Sequence, residues 1–185
     1  MQKTRTRRLV LCAMMTTVTV ICAQIAIPSP FSPVFFTLAT FAAVASGGIL
    51  GAKNGAVAQI CYIAVGLLGV PVFGAFKGGF GVFAGPTGGY LAAYPLIAFF
   101  AGLGVQKFQS RFWGTFAGGM AGMICCYALG TLWYCFVSGI GMWEALVSAV
   151  IPFIPIDMIK TAAAGTVAEG LEKRKVIREI KSKGL

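Results

Sequence analysis

The chain is divided into apolar stretches, each about as long as a bilayer is thick, and nearly all of its charges fall in the gaps between them. The stretches cover residues 9–27, 34–50, 55–73, 89–106, 112–137 and 144–168, and a basic tail fills 169–185. A helix rises 1.5 Å per residue, so about 20 apolar residues cross the hydrocarbon core. A soluble domain of 185 residues has too little interior to hide a chain that is 58% hydrophobic and only 11% charged. The pattern predicts an all-α integral membrane protein with six transmembrane helices.

Six spans put both termini on one side, and the basic residues choose which. Lys3, Arg5, Arg7, Arg8, Lys53, Lys107, Arg111, Lys173, Arg174, Lys175, Arg178, Lys181 and Lys183 all fall on the terminal side. Lys77 alone falls opposite, and Lys160 lies inside a span. Cytoplasmic loops carry the excess of Lys and Arg, so both ends are expected in the cytoplasm. The same placement accounts for the net charge of +10 without a nucleic-acid partner. Trp113, Trp133 and Trp143 fall near segment ends, where indoles favour the membrane interface. The tail, with Leu171, Val176, Ile177 and Ile180 among its charges, reads as a short helix on a lipid surface or as a solvated end.

The first apolar run follows Arg5, Arg7 and Arg8 like a signal peptide, but it has no Ala-x-Ala site and is long enough to span. It reads as a retained helix, ended by Pro28, Pro30 and Pro33. The six cysteines lie within apolar segments, with no Cys-x-x-Cys among them, and the chain has no histidine. Buried thiols of this kind act as small hydrophobes, so no metal or cofactor is expected. With no histidine and 5 acidic residues, hydrolytic constellations have little to build from. Gly114, Gly118 and Gly122 repeat every four residues, as do Gly47 and Gly51, a spacing that lets helices pack closely in lipid.

Two regions are left to carry chemistry. Asp157 and Lys160 sit within the last apolar stretch, where charges are costly and mark substrate or ion sites by default. At i, i+3 they share a helix face. Mutual neutralisation is a weak reason to bury them, because an apolar pair would be at least as stable. Pro152 and Pro155 just before them remove backbone donors and kink the helix. The other region is the loop 74–88, rich in glycine and phenylalanine with Lys77 its one charge, too long and too apolar for a solvated turn. It reads as a lid, and Gly85-Pro86-Thr87-Gly88-Gly89 would bring backbone amides to a carboxylate at a helix start. The run Gly79-x-Gly81-x-x-Ala84 follows no strand, so it is no dinucleotide fingerprint, and no Gly-Lys-Ser/Thr P-loop exists.

Three motifs together resemble the BioY family of biotin-binding substrate components of energy-coupling-factor (ECF) vitamin transporters. They are Gly66-Leu-Leu-Gly-Val-Pro-Val-Phe73, Ala84-Gly-Pro-Thr-Gly-Gly-Tyr-Leu91 and Pro152-Phe-Ile-Pro-Ile-Asp-Met-Ile-Lys160. The resemblance implies a multi-pass protein in the cell membrane of a prokaryote, not an enzyme, that captures biotin with high affinity. Its partners would be membrane lipids and an energising module of a transmembrane scaffold subunit and two ATPase subunits. Docking on the scaffold would use small residues four apart on the first helix, here Ala13 and Thr17, with threonine in place of the expected alanine. The chemistry of the residues fits: a carboxylate accepts from a ureido N–H while an ammonium donates to the ureido carbonyl. Besides Asp157 and Lys160, the candidate ligand contacts are Gln24, Gln59, Tyr62, Lys77, Thr87, Gly88 and Tyr90, with Tyr94 nearby. The rivals are a capture subunit for another vitamin, such as thiamine or riboflavin, and an intramembrane enzyme using Asp157 and Lys160 as acid and base, with Thr161 or a cysteine as nucleophile.

Overall fold

The computed structural model describes residues 2–28 and 34–174. Pro30, Pro33 and the tail beyond Arg174, including Val176, Ile177 and Ile180, lie outside them. The described chain is mostly helical. Helix α1 spans Gln2–Gln24, and strand β1 (Ala26–Ile27) pairs antiparallel with β2 (Phe36–Thr37), Ala26 opposite Thr37. Then come α2 (Ala39–Leu50), α3 (Ala52–Leu67), a 3₁₀ turn at Gly74–Phe76, and the short α4 (Phe80–Ala84) and α5 (Gly88–Ala92). The chain continues through α6 (Tyr94–Lys107), α7 (Arg111–Ser138), α8 (Met142–Ala149) and α9 (Ile154–Lys173).

Among the described residues, three helical stretches are long and apolar enough to cross a membrane unaided: Thr6–Gln24, Gly88–Lys107 and Arg111–Ser138. A fourth is the pair α8 and α9, bent by 52° at its break. The break falls at residues 150–153, and Pro155 sits in the first turn of α9, where its missing N–H would have no helical partner anyway. The stretches 34–50 and 55–73 are less regular than their hydropathy suggests. Helix α2 has 12 residues and α3 has 16, about 18 and 24 Å of rise. Residues 34–38 and 68–73 instead run as extended chain and turns toward the site. The loop 74–88 likewise contains a 3₁₀ turn and a helix.

Small residues govern the packing. Helices α6 and α7 make the most extensive helix pair. A Cβ on Gly118 would collide with the carbonyl of Phe100, and one on Gly122 would lie 2.7 Å from Cα of Ile97. Gly104 and Gly114 face each other just as closely, so the repeat on α7 is a seam of backbone contact. Gly47 likewise abuts Ala98 on α6. Gly51 has a different task from the one its spacing suggests. No atom lies near its missing side chain, and its φ of 83° forms the corner between α2 and α3.

Polar side chains join the remaining helices. Gln59 of α3 donates to Thr19 Oγ1 of α1 at 3.0 Å and to Ser46 Oγ of α2 at 3.1 Å. Arg111 is 4% exposed. Its Nε donates to the carbonyl of Gly48 at 2.9 Å, and its Nη1 meets Glu172 Oε1 at 3.0 Å. One guanidinium thus ties α2, α7 and α9 at the end of the bundle opposite the site, where sequence places only a gap between spans.

Candidate functional site

The break before α9 explains why Asp157 and Lys160 can be buried at all. Asp157 lies in the first turn of α9, where the helix dipole favours a carboxylate, and Lys160 follows one turn later on the same face. They are 3% and 8% exposed. Lys160 Nζ donates to Asp157 Oδ1 at 2.8 Å, to the carbonyl of Thr37 at 2.7 Å and to Thr40 Oγ1 at 3.3 Å. The Thr40 hydroxyl donates to Asp157 Oδ1 at 3.2 Å, and the Tyr127 hydroxyl donates to Oδ2 at 2.7 Å. Thr37 is held by the β1–β2 pairing, so a two-residue strand fixes the carbonyl that anchors the ammonium.

Two cavities meet above this pair. The larger, about 330 Å³, lies among Ala23 of α1, Tyr62 of α3, Tyr94 of α6 and residues 73–91. It is at the small end of ordinary ligand sites, which run from about 300 to 1,000 Å³. The smaller, about 50 Å³, is lined by Thr40, Met123, Cys126, Tyr127, Phe153, Asp157 and Lys160, among others. Val34, Phe35, Thr37, Tyr90 and Tyr94 line both. The combined volume therefore has a largely aromatic and apolar chamber, with Lys77 on its wall, beside residues 73–91 and a charged pair at its other end. It suits an elongated molecule with one polar head.

The other candidate residues fall into three groups. Tyr62, Lys77, Thr87 and Tyr90 line the larger cavity. Tyr62 is fully buried, donates to the carbonyl of Val72 at 3.2 Å and stacks on Tyr94 at 6.1 Å. The Tyr90 hydroxyl is 3.2 Å from Thr131 Oγ1, so it is anchored from behind by α7. Lys77 is exposed, with its Nζ 4.8 Å from the centre of the Phe35 ring across the cavity mouth. Gln24 and Gln59 line neither cavity. Gln59 is committed to α1 and α2, while Gln24 bonds the backbone at Val72 and Phe76. Gly88 also lies off the cavity wall: its amide already donates to Gly85 at 3.0 Å, and a Cβ would strike the Phe83 carbonyl. Its role is close packing beneath Trp133, not a free amide for an anion.

Thr40 and Tyr127 escaped the sequence reading. Neither residue type is unusual in an apolar helix, and only the fold brings them, 117 and 30 positions away, onto Asp157. Ala13 and Thr17 are far from both cavities, exposed on the outer side of α1, with the Thr17 hydroxyl returned to the carbonyl of Ala13 at 3.0 Å. The inner side of α1 packs through Cys12, Thr16 and Thr19.

A bundle of apolar, membrane-type helices with a buried charge pair beside a ligand-sized cavity fits a small-molecule-binding membrane component. The BioY family model matches residues 1–176, and the chain belongs to that family. It is 39% identical to the biotin transporter BioY of Thermotoga maritima over 93% of this chain and 99% of that one. It is 35% identical to a probable biotin transporter BioY of Pyrococcus horikoshii over 88% and 94% of the two chains. Its fold superposes on the crystal structure of the S-component for biotin from an ECF-type ABC transporter with a TM-score of 0.84. That pair shares 30% identity, covering 91% and 92% of the two chains. The S component of a bacterial ECF transporter shares the fold alone, at a TM-score of 0.56 and 18% identity.

Proposed function

We propose that this protein is the biotin-capture subunit of an ECF-type uptake system, binding biotin from outside the cell and releasing it inward when an energising module acts on it. It is a transport component and not an enzyme. The observation that carries this reading is the buried Asp157–Lys160 pair at the floor of a cavity, in a chain of the BioY family. The ureido ring of biotin offers two N–H donors and one carbonyl, which complement one carboxylate and one ammonium. To accept the ring, Lys160 exchanges its longest bond, the 3.3 Å contact to Thr40, for the ureido carbonyl. Asp157 then takes a ureido N–H on the oxygen that Tyr127 already faces. The aliphatic arm lies against Tyr62, Tyr90 and Tyr94, and the carboxylate emerges beside Lys77 and Thr87.

The full arrangement has six spans, counting α2 and α3 with their extended flanks and the bent α8–α9 pair as one. Both termini are cytoplasmic, on the side of Lys53, Lys107 and Arg111, in the cell membrane of a prokaryote. Residues 74–88 form the outer lid. The energising module, a scaffold subunit with two ATPase subunits, meets the Ala13/Thr17 face of α1. Lipid surrounds the remaining apolar exterior, which includes Ile124, Leu132, Phe136 and Trp143.

Mass spectrometry of small molecules retained by the purified protein tests the assignment. Biotin is expected in near-stoichiometric amount after expression in biotin-replete medium. Retention of thiamine or riboflavin instead, with no biotin bound on addition, would overturn it.

A further inference from the structure

The turn that carries Lys77 has an unfavourable backbone, and one side chain secures it. Phe73 and Lys77 exchange two backbone hydrogen bonds, at 2.9 and 3.3 Å, closing a loop over Gly74, Ala75 and Phe76. Inside that loop Ala75 and Phe76 have φ of 57° and 56°, the only non-glycine residues with positive φ among those described. L-amino acids are strained in this region and persist there only where the surroundings over-determine them, commonly at ligand clamps.

Gln24, the last residue of α1, makes the contact that the turn needs. Its Oε1 accepts from the Phe76 N–H at 2.9 Å, and its Nε2 donates to the Val72 carbonyl at 3.0 Å. The Val72 carbonyl has a second donor in Tyr62, at 3.2 Å, but no other partner of the Phe76 N–H occurs among the described residues. Both ends of the amide therefore reach backbone at the turn, at Val72 and Phe76, with a longer bond from Nε2 to the Val20 carbonyl at 3.4 Å, and Gln24 lines neither cavity. The residue after Phe76 is Lys77, which lines the larger cavity and reaches over Phe35.

We propose that Gln24 is a positioning residue, whose amide clamps the strained turn 73–77 to α1 and so holds the Lys77 ammonium at the cavity mouth to meet a ligand carboxylate. This rests on the reading of Lys77 given above. A glutamine that merely stabilised the bundle would affect all ligands alike. One that acts through Lys77 affects ligands that carry the carboxylate more than those that do not.

The test compares biotin with its neutral carboxamide, measuring binding to the detergent-purified full chain. In Lys77→Met, affinity for biotin is expected to fall about fivefold, as for one exposed charge contact, and affinity for the carboxamide by clearly less, since its neutral oxygen meets the ammonium more weakly. Gln24→Met should show the same selective loss, and the double variant should be no weaker than Lys77→Met alone, since the two act as one unit. Glycine tolerates positive φ without strain, so Ala75→Gly should restore part of the selectivity, and any lost folding, in the Gln24→Met background. Equal weakening of both ligands by Gln24→Met, additive loss in the double variant, or no rescue by Ala75→Gly would overturn the clamp while leaving Lys77 in place. A Lys77→Met protein with unaltered preference for biotin would overturn the carboxylate reading and the clamp together.

Discussion

At the scale of single residues, the candidate site is a charge pair whose ammonium is fully hydrogen-bonded and whose carboxylate keeps room for one more donor on Oδ2. Lys160 spends its three protons on Thr37, Thr40 and Asp157, and Asp157 receives Lys160, Thr40 and Tyr127. Removing one partner strands the other in an apolar interior. Asp157→Ala and Lys160→Ala should therefore each weaken biotin binding by about 2 kcal/mol or more, read by calorimetry, and unchanged affinity in both would remove the pair from the site. Tyr127→Phe offers a finer test. It deletes one neutral donor to a buried carboxylate, which should lower the stability of the empty protein by about 1.5–3 kcal/mol. A ureido N–H can take the vacated place, so the loss should shrink when biotin is bound, and thermal unfolding with and without biotin reads the difference. An equal loss in both states would mean that the ligand never reaches Asp157 Oδ2. Asp157 and Lys160 are legible in sequence because charges in an apolar stretch are conspicuous. Thr40 and Tyr127 are not, because hydroxyl residues are unremarkable there and their relevance depends on which helices become neighbours. Gln24 and Gln59 show the same limit: an amide in an apolar helix signals a buried hydrogen bond without saying whether a ligand or the protein receives it.

At the scale of elements, the hydropathy pattern locates the apolar segments but not where backbone leaves the helix within them. Residues 34–38 and 68–73 are as apolar as any helix here, yet they leave the helix; Val34, Phe35, Thr37 and Phe73 line the cavity, the kind of setting in which irregular backbone is tolerated within a membrane protein. Pro152 is the readable exception, since it falls in the break between α8 and α9, while Pro155 sits in the first turn of α9, where proline is tolerated. The glycine seam of α7 is sharper in the structure than its spacing suggests, because Gly118 touches backbone rather than a movable side chain. Gly118→Leu should cost more than about 2 kcal/mol and deplete folded protein, measured by size-exclusion yield and unfolding temperature. Gly81→Ala, with nothing near the added carbon, should be silent in both. A silent Gly118→Leu would mean that α6 and α7 are not held at backbone contact. The lid makes a prediction of its own. Segment 74–88 contains only a single turn and a five-residue helix, so its amides should exchange readily in the empty protein and slow on adding biotin. Identical exchange in both states would count against a lid.

At the scale of the whole molecule, the two ends of α1 have different work, and this sets what the protein can transmit. The end at Gln24 is fastened to the backbone of Val72 and Phe76, and the middle bonds inward to α3 through Cys12, Thr16 and Thr19. The outward side carries Ala13 and Thr17, both exposed, with the threonine hydroxyl satisfied within its own helix. That surface is small and free of unsatisfied polar groups, which suits close approach by a helix of another subunit in lipid. A bulky group there would obstruct the approach without entering the bundle. Ala13→Trp should therefore abolish uptake that depends on the energising module, measured with labelled biotin in cells carrying both, while the isolated subunit binds biotin as before. Val18→Trp, on the same helix but turned away from Ala13 and Thr17, should leave uptake nearly intact. Loss of binding along with uptake in Ala13→Trp would place that face in the bundle rather than at a partner. Full uptake in both variants would mean that the face meets only lipid, and the module would have to engage another part of the exterior.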